Sequence, residues 1–545
     1  MMNASQRVGL ELERATSSSR VVPINFDDDD NNSIIQDPIS LALLFKLHNN
    51  NISFKVASSS SHIGDDDDVD DEEGRRNTSG SSASPDDWLP ITQSRTGNSF
   101  TAALHLLCSG LGIQSLTLPI AFVSLGWVWG CVCLLVIFGW QMYTSLLLIH
   151  LHEPNSTHHA TGPRYSRFIV LSIVAFGPTL GKLLAIFPAL YLSGGTCSLF
   201  VVRGGGILES LAKLLYSHHH PDSPPVTPAE WFLIFVCIAI LVSQFFPTLN
   251  SLAPVSLVGS ISAVIYLSML WILSITYTTN HQPLPPSSTS SWPEILYRKN
   301  FRGIMDAISL IALTFRGHNL ILEIQGTLPT SPQRPARKPM LKGFTASYVV
   351  IAMCVFPLAI GGYWAYGKTL GATITNGILE PLTSELFLHE HKTPSKKWIL
   401  ATIYIALLLH LICAFNLYAM LAFDNLERVI YVSKNNRACP RWVQSAIRSV
   451  YGGFVYFLAM AMPFIGKLGP FFGAMTLPLT LVYPCFMWIA IRKRMSSRRK
   501  WSNDMRISLG VGCFGTGLSF VLFGVALWDL VDYGLQGKAN FFNPH

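Results

Sequence analysis

The sequence predicts an all-α polytopic membrane protein of eleven transmembrane helices, in an inverted five-plus-five repeat whose first and sixth helices are broken. Three observations predict it. Half of the residues are hydrophobic, 13% are charged and the mean hydropathy is positive, a balance that suits lipid rather than water. Eleven apolar segments have membrane length, near 99–124, 127–151, 180–203, 229–247, 252–275, 303–322, 344–366, 398–421, 446–463, 467–490 and 507–529. The first and sixth of these carry glycine-bearing polar interruptions, five spans apart.

Residues 1–97 differ from everything that follows. Asp27–Asp30, Asp65–Asp68 and Asp70-Asp71-Glu72-Glu73 sit among serines and asparagines. Such a segment cannot bury enough apolar surface to offset ordering, so an acidic, disordered cytosolic arm is expected, either a solvated tail or a regulatory arm. No basic region followed by an apolar core marks a signal peptide. The transmembrane domain is expected over 98–535, with a short outer tail at 536–545.

The first span, Ser99–Phe122, carries no acid, Lys or Arg. Gly110 and Gly112 lie at its middle, and glycine costs a helix about 1 kcal/mol relative to alanine. Two half-helices are expected, about 99–109 and 115–124, joined by unwound backbone; a single kinked helix is the alternative. Unwound backbone survives at membrane depth where it is buried in protein or lines a wet cavity. The sixth span, Phe301–Ile324, holds Arg316, Gly317, His318 and Asn319 at its middle. An arginine there costs roughly 2.5–3.5 kcal/mol and needs a partner or water. Paired breaks in two halves are how many secondary transporters build a substrate site. A half-helix N-terminus can hold a carboxylate, and unwound carbonyls can hold an ammonium, so a zwitterionic amino acid fits two facing breaks, as do other small ionic solutes.

Orientation follows from Lys and Arg. With the N-terminus cytosolic, the inner loops carry nineteen of them and the outer side eleven, which puts the C-terminus outside. The Asn-x-Ser/Thr sequons, Asn155 among them, then all face the cytosol and stay unglycosylated. None of the ten cysteines falls in an expected outer loop, so no disulfide framework is expected. No metal-ligand spacing, nucleophile–base constellation or nucleic-acid signature appears. Neither an enzyme nor a bound cofactor is therefore expected.

The stretch Gly112–Pro119 followed by Leu125-Gly126-Trp127 resembles the first span of the amino acid/auxin permease family. Gly317-His318-Asn319, Leu322–Pro329, Pro339-Met340 and Lys342-Gly343 closely resemble the sixth span and following loop of plant lysine/histidine transporter-like proteins. The likeness covers about 95–535. It implies a leucine-transporter-type fold and proton-coupled amino acid uptake at the plasma membrane, with the first, third, sixth and eighth helices around the substrate. Two departures stand out. Gln114 replaces the second glycine of the family's Gly-small-Gly trio, and Arg316 replaces a small residue. If both face the cavity, lysine is a poor substrate and neutral or acidic amino acids, or another organic anion, are preferred. Alternatively, Arg316 pairs with Asp306 or Glu323 or faces the cytosolic vestibule.

The substrate is thus expected on Ser109, Gly110, Leu111, Gly112, Ile113, Gln114, Thr314, Phe315, Arg316, Gly317 and His318, with Tyr191 and Asn416 from the third and eighth spans. A core role is the alternative for Tyr191. His318, His410, Asp306 and Glu323 are the candidates for proton coupling, since imidazole titrates near pH 6.5 and buried carboxylates rise. Sodium stays an alternative ion. An auxin-like organic acid carrier and a non-transporting sensor are the rival functions.

Overall fold

The computed structural model describes residues 85–154, 163–216, 226–278, 301–315, 320–367, 394–463, 468–495 and 502–535. The acidic arm up to 84, the tail 536–545 and the sixth-span residues Arg316, Gly317 and His318 lie outside the described residues.

The described residues begin ahead of the boundary expected at 98. Pro85–Trp88 forms a 3₁₀ turn, and Leu89, Ile91 and Thr92 are buried behind it. Helix α1, Ser99–Gly110, opens on a reciprocal cap in which Asn98 accepts from the Thr101 amide and Thr101 accepts from the Asn98 amide. It stops at Gly110. Leu111 and Gly112 are non-helical, Ile113–Thr117 is a 3₁₀ turn, and α2 runs Leu118–Leu151. The interruption falls where the glycines place it. The expected end of the first span is less simple: Gly126, at φ 79°, turns the chain inside α2, a conformation that suits a residue without Cβ.

The third span is more fragmented than expected. Helix α3, Phe168–Phe176, comes first and is missing from the sequence reading because nine residues cannot span lipid. Gly177, at φ 90°, turns the chain into α4, Pro178–Leu190. A π-turn at Tyr191–Gly195 leads into α5, Thr196–Tyr216. Helices α6, Pro228–Phe245, and α7, Ala253–Thr278, follow.

In the sixth span α8, Phe301–Thr314, ends at a turn at Phe315, and α9, Ile321–Gly326, follows beyond residues 316–319, which lie outside the described residues. Then come α10, Arg337–Tyr366, and α11, Pro394–Glu427, which passes through a π-turn at Arg428–Val432 into the short α12, Ser433–Asn435. Helix α13 is Arg441–Ala461. Helix α14, Gly469–Leu477, meets α15, Tyr483–Met495, through a third π-turn at Pro478–Val482, and α16 is Asn503–Leu535.

Seven of the described helical stretches are long and apolar enough to cross a membrane. The other four expected spans are the interrupted first, third and sixth, together with α13, which bears Arg441 and Arg448. One large core joins α1, α2, α7, α10 and α11. Around it, large apolar side chains such as Phe245, Met353, Val450, Phe520 and Leu535 point outward, as lipid-facing helices require.

Candidate substrate site and the charged end beside it

The break after α1 sits against α8, α2 and α10. Its ends are tied down by side chains. The Tyr418 hydroxyl, on α11, donates to the Ser109 carbonyl at 3.2 Å, and the Ser109 hydroxyl donates to the His105 carbonyl at 2.9 Å. Thr117 donates to the Gln114 carbonyl at 2.7 Å. Gly112, the N-cap of the 3₁₀ turn, makes no side-chain cap, so the turn's first N–H groups carry partial positive charge towards the break.

Gln114 lies over this spot. It is buried, and a Cβ added to Gly112 would meet its side-chain oxygen at 2.4 Å. Its Nε2 is buried with no hydrogen-bond partner among the described residues. The departure noted from sequence therefore adds a bulky amide with an open donor beside the unwound backbone.

Helix α11 supplies two more of the expected residues. His410 is buried; its Nδ1 lies 3.1 Å from the Gly259 carbonyl, and the Leu111 backbone is its neighbour at the break. Asn416 is buried too, its amide donating to the Ile412 carbonyl at 2.9 Å and its Oδ1 unpartnered among the described residues. Tyr191, at the third-span π-turn, is buried with its ring 6.0 Å from Phe472 of α14. Thr314, at the end of α8, donates to the Leu310 carbonyl at 3.0 Å, and the Phe315 carbonyl accepts from Gln141. Asp306 is half-buried near Arg302, whose guanidinium pairs with Asp529 and Asp532 on α16.

Glu323 is buried and belongs to a charged network at the end of the protein where the chain enters α1. Arg167 grips Asp424 with two donors, Nε to Oδ2 at 2.6 Å and Nη2 to Oδ1 at 3.2 Å. It also reaches Asp86 and Thr92, each at 3.2 Å, and Arg428 meets the same Asp86 oxygen at 2.5 Å. The Ile91 amide donates to Asp424 at 3.1 Å, and the Phe168 amide donates to Glu323 at 3.2 Å. The segment before α1 is thereby clamped across α11 and the start of α3. Sequence reasoning counted Arg167 and Arg428 only as loop charges and missed Asp86, Asp424 and His105. An acid near the end of an apolar span, as Asp424 is, was the available signal.

Beside this network, His152 just beyond α2 is fully buried, and Ser166 Oγ lies 3.3 Å from its Nε2. Burial holds its pKa well below the usual 6.5, with Arg164 and Arg95 pushing the same way. A histidine held neutral in the fold costs stability when the unfolded chain can take up the proton. The contribution is full above the ordinary imidazole value and is lost as pH falls below it. The thermal midpoint of the purified protein should therefore drop between about pH 7.5 and about pH 5.5, and His152→Gln should flatten that drop. Equal drops in both proteins would refute the assignment.

The fold and this site define a membrane-embedded helical protein with unwound backbone and buried polar groups meeting inside it. The transmembrane amino acid transporter protein family matches residues 95–528, and the chain belongs to that family. It is 38% identical to lysine histidine transporter-like 8 of Arabidopsis thaliana, over 84% of this chain and 83% of that protein. It is 39% identical to lysine histidine transporter-like 7 of the same plant, over 84% of this chain and 90% of that protein. The GABA transporter 1 of Arabidopsis is 27% identical over 77% of this chain and 88% of that one.

Proposed function

We propose that the protein imports an amino acid across the plasma membrane by proton symport with alternating access, in an eleven-helix leucine-transporter-type fold. The observation that carries this reading is the interruption at Leu111–Thr117, packed against α8 and bordered by His410 of α11, whose Tyr418 ties down the end of α1. The Gly112 end of the 3₁₀ turn and the open donor of Gln114 suit the substrate carboxylate, and the carbonyls at the end of α1 suit its ammonium. The names of the relatives, which speak of lysine, histidine and GABA, support an amino acid as cargo.

His410 is the coupling group favoured by position, since it touches both the break and α7. The N-terminus is cytosolic, so the Arg167–Asp424 clamp closes the inner end and must open for release. No enzymatic step is assigned. Uptake into proteoliposomes of a labelled amino acid panel, with and without an imposed pH gradient, tests the proposal. Saturable accumulation that grows with an inward proton gradient is the expected result. Flux of aromatic organic acids alone would favour the auxin-like carrier, and ligand binding without flux would favour a sensor.

The break makes a sharper prediction. Gly112→Ala forces the Gln114 amide out of place, and uptake should fall on the order of tenfold or more, as misplaced contacts commonly cost. Adding Gln114→Gly should restore part of it, because the obstructing oxygen is gone. Uptake in the double variant as low as in the single would show that the amide is not the obstruction.

A further inference from the structure

A cavity of about 110 Å³ lies away from the break, where the ends of α2 and α15 meet the start of α10. Its lining includes Glu153, His150, Trp488, Arg337 and Arg492. This is the end of the molecule richest in Lys and Arg, which the orientation proposed above makes cytosolic.

Two of the lining groups are buried and unsatisfied. The Glu153 side chain is 5% exposed. Its Oε1 lies 3.1 Å from Arg164 Nε, whose guanidinium burial pulls down to about 10, so Arg164 stays charged at neutral pH. Its Oε2 has no partner among the described residues. Trp488 is 7% exposed, and its indole N–H likewise has no acceptor among them. Buried groups left in this way cost free energy unless something pairs with them.

At the mouth stand two exposed guanidiniums. Arg492 is stacked on the Trp488 ring at 4.6 Å, which fixes its direction. Arg337 lies opposite in the lining, and Arg334, Lys338 and Lys493, also exposed, flank the two in sequence. The cavity therefore asks for several negative charges at its mouth and a hydroxyl donor at its floor. A lone carboxylate supplies only the first; a simple phosphate can donate from its P–OH but brings at most about two negative charges at neutral pH to the cluster of cations at the mouth. Basic pockets between transmembrane helices on the cytosolic side are suited to phosphorylated lipid headgroups.

We propose that this cavity binds a phosphorylated polyol, with its phosphates on Arg337 and Arg492 and the Trp488 indole, and a ring hydroxyl donating to Glu153. A phosphoinositide headgroup in the inner leaflet and a soluble inositol phosphate share this chemistry. The assignment rests on the inward orientation given above for this end of the protein.

The test uses the full-length protein in nanodiscs of phosphatidylcholine alone, or with phosphatidylserine or phosphatidylinositol 4,5-bisphosphate, and, in a separate arm, inositol trisphosphate added to the lipid-free detergent preparation. Retained ligand is read by native mass spectrometry and by thermal midpoint. The bisphosphate should be retained over serine lipid and raise the midpoint. Arg337→Gln with Arg492→Gln should weaken retention about thirtyfold, at about 1 kcal/mol for each charge removed.

Glu153→Gln separates a built site from adsorption. Removing a negative charge would strengthen mere electrostatic adsorption, whereas loss of the hydroxyl's charged acceptor should weaken binding. Retention that rises in this variant, or that does not distinguish the bisphosphate from serine lipid, overturns the proposal. Binding of the soluble trisphosphate as well as the lipid, or of the lipid alone, supports the site and identifies its source. The readout is ligand and not flux, so a negative result leaves the transport reading standing, and absent flux leaves this one standing.

Discussion

Asp424→Ala should be among the most damaging single changes in the protein, costing up to about 3–5 kcal/mol, because it leaves the buried Arg167 guanidinium with the half-exposed Asp86 as its one remaining ion-pair partner among the described residues. Asp424 is 1% exposed and Arg167 is 5% exposed, so water cannot take over the lost partner. The same substitution removes the acceptor of the Ile91 amide and loosens the segment that leads into α1. Thermal midpoint and monodisperse yield in detergent should both fall. Replacing both partners, as Asp424→Leu with Arg167→Leu, should recover part of the stability, since a buried pair often does no better than an apolar one. It should not recover uptake if the clamp closes one end of the transport cycle. A double variant no more stable than Asp424→Ala would show that the lost charge is not what destabilises.

The second large effect is expected at Gly473. A Cβ there would stand 2.0 Å from the Ser309 carbonyl oxygen and 2.5 Å from its carbon, so the obstacle is main chain and cannot swing aside. Helices α8 and α14 approach through that absent side chain, and Gly473→Ala must push them apart. Overpacking of this kind costs about 1–3 kcal/mol. Uptake should fall further than stability, because α8 ends in Thr314, next to Phe315, both proposed to face the substrate. Gly453→Ala on α13 is the control: nothing lies within 4 Å of its added Cβ, and it should be neutral or slightly stabilising. A Gly473→Ala protein with an unchanged melting point would refute the close approach.

What the sequence made legible was local. Gly110 and Gly112 two residues apart, followed by Pro119, gave away the interruption of the first span, because their effect on the helix is intrinsic to those residues. Trp and apolar runs gave away the long helices. The pairing in the clamp was not legible, since Arg167 and Asp424 lie 257 residues apart, although Asp424 near the end of an apolar span marked one of the two. His105 was hidden for the same reason: its partner is the Ser256 hydroxyl, 2.7 Å away on α7. The reading of Glu323 as a coupling group came from its closeness in sequence to the sixth-span break. What closeness in sequence did not reveal is its company: the carboxylate accepts from the Phe168 amide beside the Arg167–Asp424 pair. Arg316, Gly317 and His318 lie outside the described residues, so the question of which way Arg316 faces belongs to the proposed uptake assays.

The three π-turns, at Tyr191–Gly195, Arg428–Val432 and Pro478–Val482, escaped a reading built on a 3.6-residue period. Each holds one residue more than ordinary winding needs. Because the bulge absorbs that residue locally, deleting one there would let the helix close up with its two flanks still in phase, whereas a deletion from an ordinary stretch would rotate one side against the other by about 100°. At the first of them, Tyr191 faces Phe472 before the bulge while Cys197 meets the Phe415 carbonyl after it. A one-codon loss inside this short stretch should therefore leave Cys197 facing its partner, whereas the same loss further along the helix would swing it away, although the hydrophobicity of the segment would hardly change in either case.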